Sequence, residues 1–176
     1  MSLEVDRLRA VAHPTRLQIL SLLTGAELSA AEVGRELDIS QPAASYHLRQ
    51  LAAAGLLEVA GEQKVRGGIA KLYRHPWRDN AEHGQVHPTS RRLYIEAVAG
   101  ELVRRADART AGPGVVVDAE LWVDPDVWAE AVDAVVAVAG RLHDAAKPPR
   151  APGAVRTNMT GAMFAMRRHG TGGGDR

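Results

Sequence analysis

Residues 29–55 read SAAEVGRELDISQPAASYHLRQLAAAG, and the fold turns on them. Ser29 and Glu32 have the spacing of a capping box, in which hydroxyl and carboxylate satisfy each other's exposed backbone donors at the start of a helix. The short helix so begun runs through Leu37. Asp38-Ile39-Ser40 breaks it, Ser40 then caps a second helix with Pro42 in its first turn, and Gly55 stops that helix after Ala54. Ala44, Leu48 and Leu51 make its inward stripe, which leaves Gln41, Ala43, Ser45, Tyr46, Arg49 and Gln50 outward. A short helix, a tight turn and a longer helix are helix-turn-helix spacing. Gly34 falls where the two helices must approach closely, and Asp38 takes the turn position, where aspartate tolerates left-handed geometry better than most residues.

Upstream, Val5, Leu8 and Ala12 lie at helical spacing until His13-Pro14-Thr15-Arg16 interrupts them. Pro14 suits the first turn of a new helix, where its missing N–H costs nothing. Leu17, Ile19, Leu20 and Leu23 give that helix its apolar stripe before Gly25 ends it. Downstream, residues 56–60 read as a strand, 61–69 as a loop containing Gly67-Gly68, and 70–74 as a returning strand. The pattern predicts a winged helix-turn-helix domain over residues 1–78.

The segments HPTRLQILSLL (residues 13–23) and ISQPAASYHLRQLAAAGLLE (residues 39–58), followed by a hairpin ending KLYRH (residues 71–75), resemble the ArsR-like family of bacterial winged-helix transcriptional regulators. The resemblance covers roughly residues 3–76. It implies a cytoplasmic homodimer that binds operator DNA, commonly as a repressor released by an effector. A recognition helix lies in the major groove with its N-terminal part against base edges. Ser40, Gln41, Pro42, Ala43, Ser45 and Tyr46 occupy that part. Gln41 can pair with adenine through both amide atoms, Ala43 can meet a thymine methyl, and Ser45 can donate to several acceptors. Tyr46, His47 and Arg49 suit phosphate contacts. Lys64 and Arg66 at the wing tip can reach a flanking minor groove or the backbone, with Lys71 and Arg74 supporting that surface. The plainer readings are an exposed tyrosine at Tyr46, a structural histidine at His47, a solvated charge at Arg49 and charges that guard an edge strand on the wing. A competing class is a winged helix that serves as a protein-interaction or RNA-binding module without an effector.

The rest of the chain exceeds a minimal regulator of that kind. Residues 77–87 are polar and turn-rich, a linker, and a helix is expected from about Pro88 or Thr89 to Arg109, with Ile95, Val98, Leu102 and Ala106 as an apolar stripe suited to a dimer interface or to packing within the chain. This makes residues 79–114 a linker and dimerisation helix. Beyond Gly112-Pro113-Gly114, residues 115–123 alternate apolar and polar, the period of a half-buried strand. Asp124-Pro125 starts a helix with Asp124 as cap and Val123 placed to staple against Trp128. Along it Trp128, Val132, Val135, Ala139 and Leu142 recur. Residues 157–166 read as a last strand. The expected architecture is therefore mainly α with small β (α+β), closing with a β-α-β module over residues 115–169 and a disordered tail at 170–176. That module serves either dimerisation or effector binding, and Trp122, Trp128, Met159, Met163 and Phe164 are its candidate pocket for a small-molecule effector, although such side chains also serve as ordinary core.

Charge supports this division. The net charge of +1 conceals +4 over residues 39–78, −5 over residues 115–147 and +4 over residues 148–176. A basic block inside a folded unit is an electrostatic footprint of nucleic-acid binding. The chain has no cysteine, which excludes disulfides, zinc-thiolate sites and cysteine nucleophiles. Aromatic residues make up 4% of it, so the core is built from Ala, Val and Leu, which favours helices. His83 and His87, four apart with His75 and Glu82 nearby, have a spacing that could in principle bind zinc or nickel, and their place in a linker argues against a site. No phosphate loop, GxSxG elbow or HExxH pair is present. The sequence thus predicts no enzyme, no cofactor, no metal and no membrane partner, a cytoplasmic location, and double-stranded DNA as the main partner.

Overall fold

The computed structural model describes residues 10, 11, 13–77 and 88–166. Its elements are α1 (Pro14–Leu23), α2 (Ala30–Leu37), α3 (Gln41–Ala53), β1 (Glu58–Val65), β2 (Gly68–Arg74), α4 (Pro88–Ala106) and α5 (Pro125–Asp144). The fold is mixed α+β and mostly helical. The leading helix over residues 3–12, the linker over 78–87 and the tail from 167 onward lie outside the described residues, apart from a helical Ala10 and Val11.

Helices α1, α2 and α3 enclose the core. Ile19, Leu23, Val33, Leu48 and Leu51 are its largest fully buried side chains. Each contributes about 1.5–3 kcal/mol by leaving water, against about 1 kcal/mol for a helix cap, so packing rather than capping is the main support of the unit. The caps fix where the helices start. Ser29 Oγ accepts the Glu32 N–H while Glu32 accepts the Ser29 N–H at 2.8 Å, the reciprocal pair foreseen from the sequence. These bonds hold the Glu32 carboxyl below its usual pKa, the Ser29 side chain contributing most. Leu28, just before the cap, is buried with Val33 in the same core, the positions of a hydrophobic staple. Ser40 accepts from Ala43 N–H at 3.3 Å and starts α3.

The wing is longer and its turn shorter than expected. Strands run to Val65 and from Gly68, with the chain reversing at Arg66-Gly67, because Gly67 takes φ +96° and allows a tight reversal where a nine-residue loop was expected. The register pairs Glu58 with Arg74 and Val65 with Gly68, and a bulge at Ala60 lies between Val59 and Gly61. Leu28 joins the base of the hairpin by a two-bond bridge to Tyr73, N–H to carbonyl in both directions at 3.0–3.1 Å, which ties the wing to the helix-turn-helix.

The C-terminal half departs further from expectation. Helix α4 ends at Ala106 rather than Arg109, closing in a turn where Arg109 N–H donates to Ala106 O. Residues 115–123 and 157–166 form no strand, so a β-α-β module is absent among the described residues. A strand exists only through ladder hydrogen bonds to a neighbour, and these two segments have no such ladder among the described residues. Val115, Val116 and Val117 are 80–85% exposed. Asp124 stands at the N-cap of α5 with extended backbone, but its side chain makes no capping bond. No residue of α5 is buried.

Among the described residues, several contacts seat the C-terminal segment on the helix-turn-helix, and Arg105 of α4 donates to Ser21 Oγ of α1 at 2.9 Å. Glu101 of α4 is buried and accepts from Gln18 of α1 at 2.8 Å and from Arg104 at 2.8 Å, with Arg105 at 3.5 Å. Burial alone would raise its carboxyl pKa, but the Arg104 and Gln18 hydrogen bonds and the two guanidinium charges hold it below the ordinary value. At the end of α5, the His143 and Trp77 rings lie 4.9 Å apart. Arg150, in left-handed backbone at φ +63°, pairs with Glu36 of α2 at 3.0 Å. No helix among the described residues is long and apolar enough to cross a membrane.

Candidate nucleic-acid interface

The outward face of α3 is a short polar and aromatic row. Gln41, Pro42, Tyr46, Arg49 and Gln50 are exposed, Ala43 and Ser45 half-buried, and Ala44, Leu48 and Leu51 sealed beneath. Two geometric devices aim that row. Asp38 adopts φ +54° to turn the chain between the helices, and Gly34 leaves room for Ile39, whose carbonyl oxygen would stand 2.8 Å from a Cβ at Gly34. Tyr46 is 52% exposed, its ring 5.5 Å from that of His47. Arg49 donates to Ser45 Oγ at 3.3 Å, so two of the predicted contact residues hold each other at one turn's spacing.

On the wing, Lys64, Arg66 and Lys71 are exposed. Lys64 sits in β1 opposite Ile69, Arg66 at the turn, and Lys71 in β2 opposite Glu62. Arg74, counted from the sequence as support for this basic surface, is instead committed to carboxylates: it pairs with Glu58 across the sheet and lies 3.8 Å from Glu27. The positive potential of the wing therefore concentrates at its tip.

His47 is half-buried and turned toward α1, where its ring meets that of His13 with centroids 5.0 Å apart. Burial chiefly, then the charges of His13 and Arg16, lower its pKa. His13 was not singled out from the sequence; the signal available was its place immediately before Pro14, at the mouth of a helix packed on the recognition helix. His75 at the end of the wing was considered only as a metal candidate. It is half-buried, its Nδ1 lies 3.0 Å from Thr24 Oγ, and desolvation with the His143 charge lowers its pKa to about 4. His83 and His87 lie outside the described residues, and among the described residues no cluster of three or more metal-ligating side chains occurs.

Of the proposed effector residues, one lines a surface depression. Trp122 lines an open depression of about 390 Å³ with Val123, Asp124 and Val127. Trp128, Met159, Met163 and Phe164 take no part in it.

Residues 11–60 match the family described as a helix-turn-helix domain. Among known proteins, the transcriptional repressor SdpR of Bacillus subtilis is 37% identical over 49 residues, 28% of this chain and 54% of that protein. The transcriptional activator HlyU of Vibrio cholerae is 44% identical over 58 residues, 33% of this chain and 54% of that protein. The chain thus spans about half the length of the curated relatives it matches. Among solved structures, an ArsR-like transcriptional regulator from Rhodococcus sp. RHA1 is 29% identical with a TM-score of 0.38, over 61% of this chain and 86% of that one. With the capping box, the αL turn and the hairpin behind the matched segment, residues 13–77 form a winged helix-turn-helix.

Proposed function

We propose that the chain is a homodimeric transcriptional regulator that binds duplex DNA through α3 and the wing tip. The observation that carries this reading is the exposed row of Gln41, Tyr46 and Arg49 beside a hairpin whose tip carries Lys64 and Arg66, cations with no ion pair among the described residues. In this reading Ser40, Gln41, Pro42, Ala43 and Ser45 face base edges, while Tyr46, His47, Arg49, Lys64, Arg66 and Lys71 meet phosphates. The relatives include a repressor and an activator by name; in this proposal the chain represses, and it acts in the bacterial cytoplasm.

The dimer is supported by apolar surface that one copy leaves uncovered. On α4, Leu102 and Val103 are 44% and 69% exposed, and on α5 Val135, Val136 and Leu142 are 43–54% exposed. Residues 1–78 act as the DNA-binding unit, 79–114 join it to the partner copy, and 115–169 contribute to dimerisation or enclose a small-molecule effector that displaces the regulator from its operator. An effector pocket would need Trp122, Trp128, Met159, Met163 and Phe164 to close together across the two copies.

The test is binding to a duplex from its own promoter region against a random duplex and a single-stranded RNA, with ionic strength varied. Preference for the promoter duplex and a steep fall of affinity with salt are expected. Equal affinity for random DNA sinks operator recognition, and preference for RNA moves the domain to the competing class. Light scattering on the eluting protein checks the dimer, where a mass of one chain overturns it. A thermal-shift screen checks the effector, since a ligand selective for the folded state must raise Tm.

A further inference from the structure

The His13–His47 pair lies where α1 meets the recognition helix, and nothing in the fold uses it. Three groups able to carry positive charge converge there: His13 at the mouth of α1, His47 on α3, and Arg16, whose Nε is anchored on the Ala10 carbonyl at 2.7 Å. Tyr46 is the other titratable side chain against the pair, its ring 5.5 Å from that of His47. No carboxylate acts on His47 among the described residues. The Nδ1 atom of His47 is buried and has no hydrogen-bond partner among the described residues. A buried ring nitrogen without a partner loses about 1–3 kcal/mol, a cost that persists only where another molecule or another role offsets it. His13 and Tyr46 are exposed, so the pair borders solvent.

We propose that His13 and His47 together seat a DNA backbone phosphate, and that docking of the duplex brings a proton onto this pair. The inference rests on the DNA-binding reading and adds to it a contact, His13, and a linked proton. In the free protein, burial and the neighbouring cations disfavour the imidazolium of His47. The single negative charge of a backbone phosphodiester seated beside the rings reverses that balance, because an opposite charge within about 4–6 Å favours the charged form. The proton comes from solvent and stays on the pair while the phosphate is bound; no covalent bond changes. The sign follows from linkage: the bound state holds more protons than the free state, so affinity rises as pH falls from the bound-state pKa toward the free-state value. The dependence falls in the range where imidazoles change charge, between about pH 8 and 5.

The test is fluorescence anisotropy with a labelled random-sequence duplex at fixed ionic strength, using the full chain, His13→Gln and His47→Gln. The unsubstituted protein is expected to gain up to about tenfold in affinity per pH unit on acidification through this window. His13→Gln, at an exposed position that leaves the core untouched, is expected to flatten the dependence to under about twofold and to reduce the salt slope by about 0.9 at the low-pH end only. His47→Gln is expected to act in the same way, with circular dichroism to establish that it folds. A pH dependence that survives His13→Gln overturns the proposal, as does salt-dependent binding by the unsubstituted protein with no pH dependence, which leaves the DNA reading standing. Absence of duplex binding at every pH instead removes the DNA reading itself.

Discussion

The carbonyl oxygen of Ile39 stands 2.8 Å from the point that a Cβ on Gly34 would occupy. The same turn has Ile39 N–H donating to Gly34 O at 3.0 Å, so the close approach and the bond that stabilises it share one pair of residues. The obstacle is backbone, which cannot swing aside. Replacing Gly34 with alanine improves helix propensity by about 1 kcal/mol, but forcing a methyl against a fixed carbonyl costs about 1–3 kcal/mol. Gly34→Ala is therefore expected to lower stability by up to about 2 kcal/mol net. Urea titration should give a lower midpoint with unchanged m; a midpoint equal to or above that of the parent would mean that the two helices can part without loss.

His75 makes a pH prediction with a definite sign. Thr24 Oγ donates to Leu20 O at 2.8 Å, which leaves the hydroxyl oxygen to accept from His75 Nδ1–H in a neutral ring. The folded pKa of about 4 lies below the ordinary imidazole value. The unfolded chain therefore binds the extra proton first as pH falls. Stability from this site is complete above about pH 6.5 and declines as pH drops from there to about 4, by on the order of 3 kcal/mol. His75→Gln, measured by thermal unfolding across this window, should show a shallower acid decline than the parent. Parallel curves would place the acid sensitivity elsewhere.

The elements legible in the sequence are those whose signals are local. Ser29 with Glu32, Asp38 at the turn, Pro42 in a first turn and Gly55 at a helix end each encode a backbone event within four residues. The recognition face was readable for the same reason, since Ala44, Leu48 and Leu51 recur on one side of α3. What escaped was non-local. The alternation in residues 115–123 is a genuine strand period, but period says nothing about whether a neighbouring strand exists. Likewise Arg74 looked like a DNA-facing cation until the register set it against Glu58. His13 and His47 are 34 positions apart in the sequence, and only the packing of α1 on α3 brings their rings together.

Glu101 predicts how α4 is held to the domain. Its carboxylate is buried and accepts from Gln18 and Arg104, with Arg105 close by and itself bonded to Ser21 at 2.9 Å. Glu101→Gln keeps the shape but removes the charge that gathers the two arginines. A charge-assisted bond of this kind contributes about 1.5–3 kcal/mol. Because Arg104 is half exposed and can return to water, the expected loss is about 1–2 kcal/mol. The carboxyl pKa is lowered in the fold, so its contribution is present above the unfolded value near 4.5 and lost as pH falls through the folded one. Hydrogen exchange of α4 amides should accelerate in the variant more than that of α3; uniform acceleration would mean that α4 and the helix-turn-helix unfold as one unit.

The ion pairs on the wing separate cations that can neutralise phosphates from those already neutralised. Lys64 and Arg66 have no ion pair among the described residues, whereas Arg74 faces Glu58 and Glu27. A phosphate contact by a free cation releases one condensed counterion, and its loss lowers the slope of log affinity against log salt by about 0.9 on duplex DNA. Lys64→Ala and Arg66→Ala are each expected to reduce the slope by about that amount while weakening promoter and random duplexes alike. Arg74→Ala is expected to leave the slope unchanged and to lower stability instead, by the few tenths to 1 kcal/mol typical of an exposed pair. Lys71, set opposite Glu62, is the intermediate case. If Arg74→Ala flattens the salt dependence as much as Arg66→Ala does, the Glu58 pair must open when DNA binds, and the basic surface extends down the hairpin rather than ending at its tip.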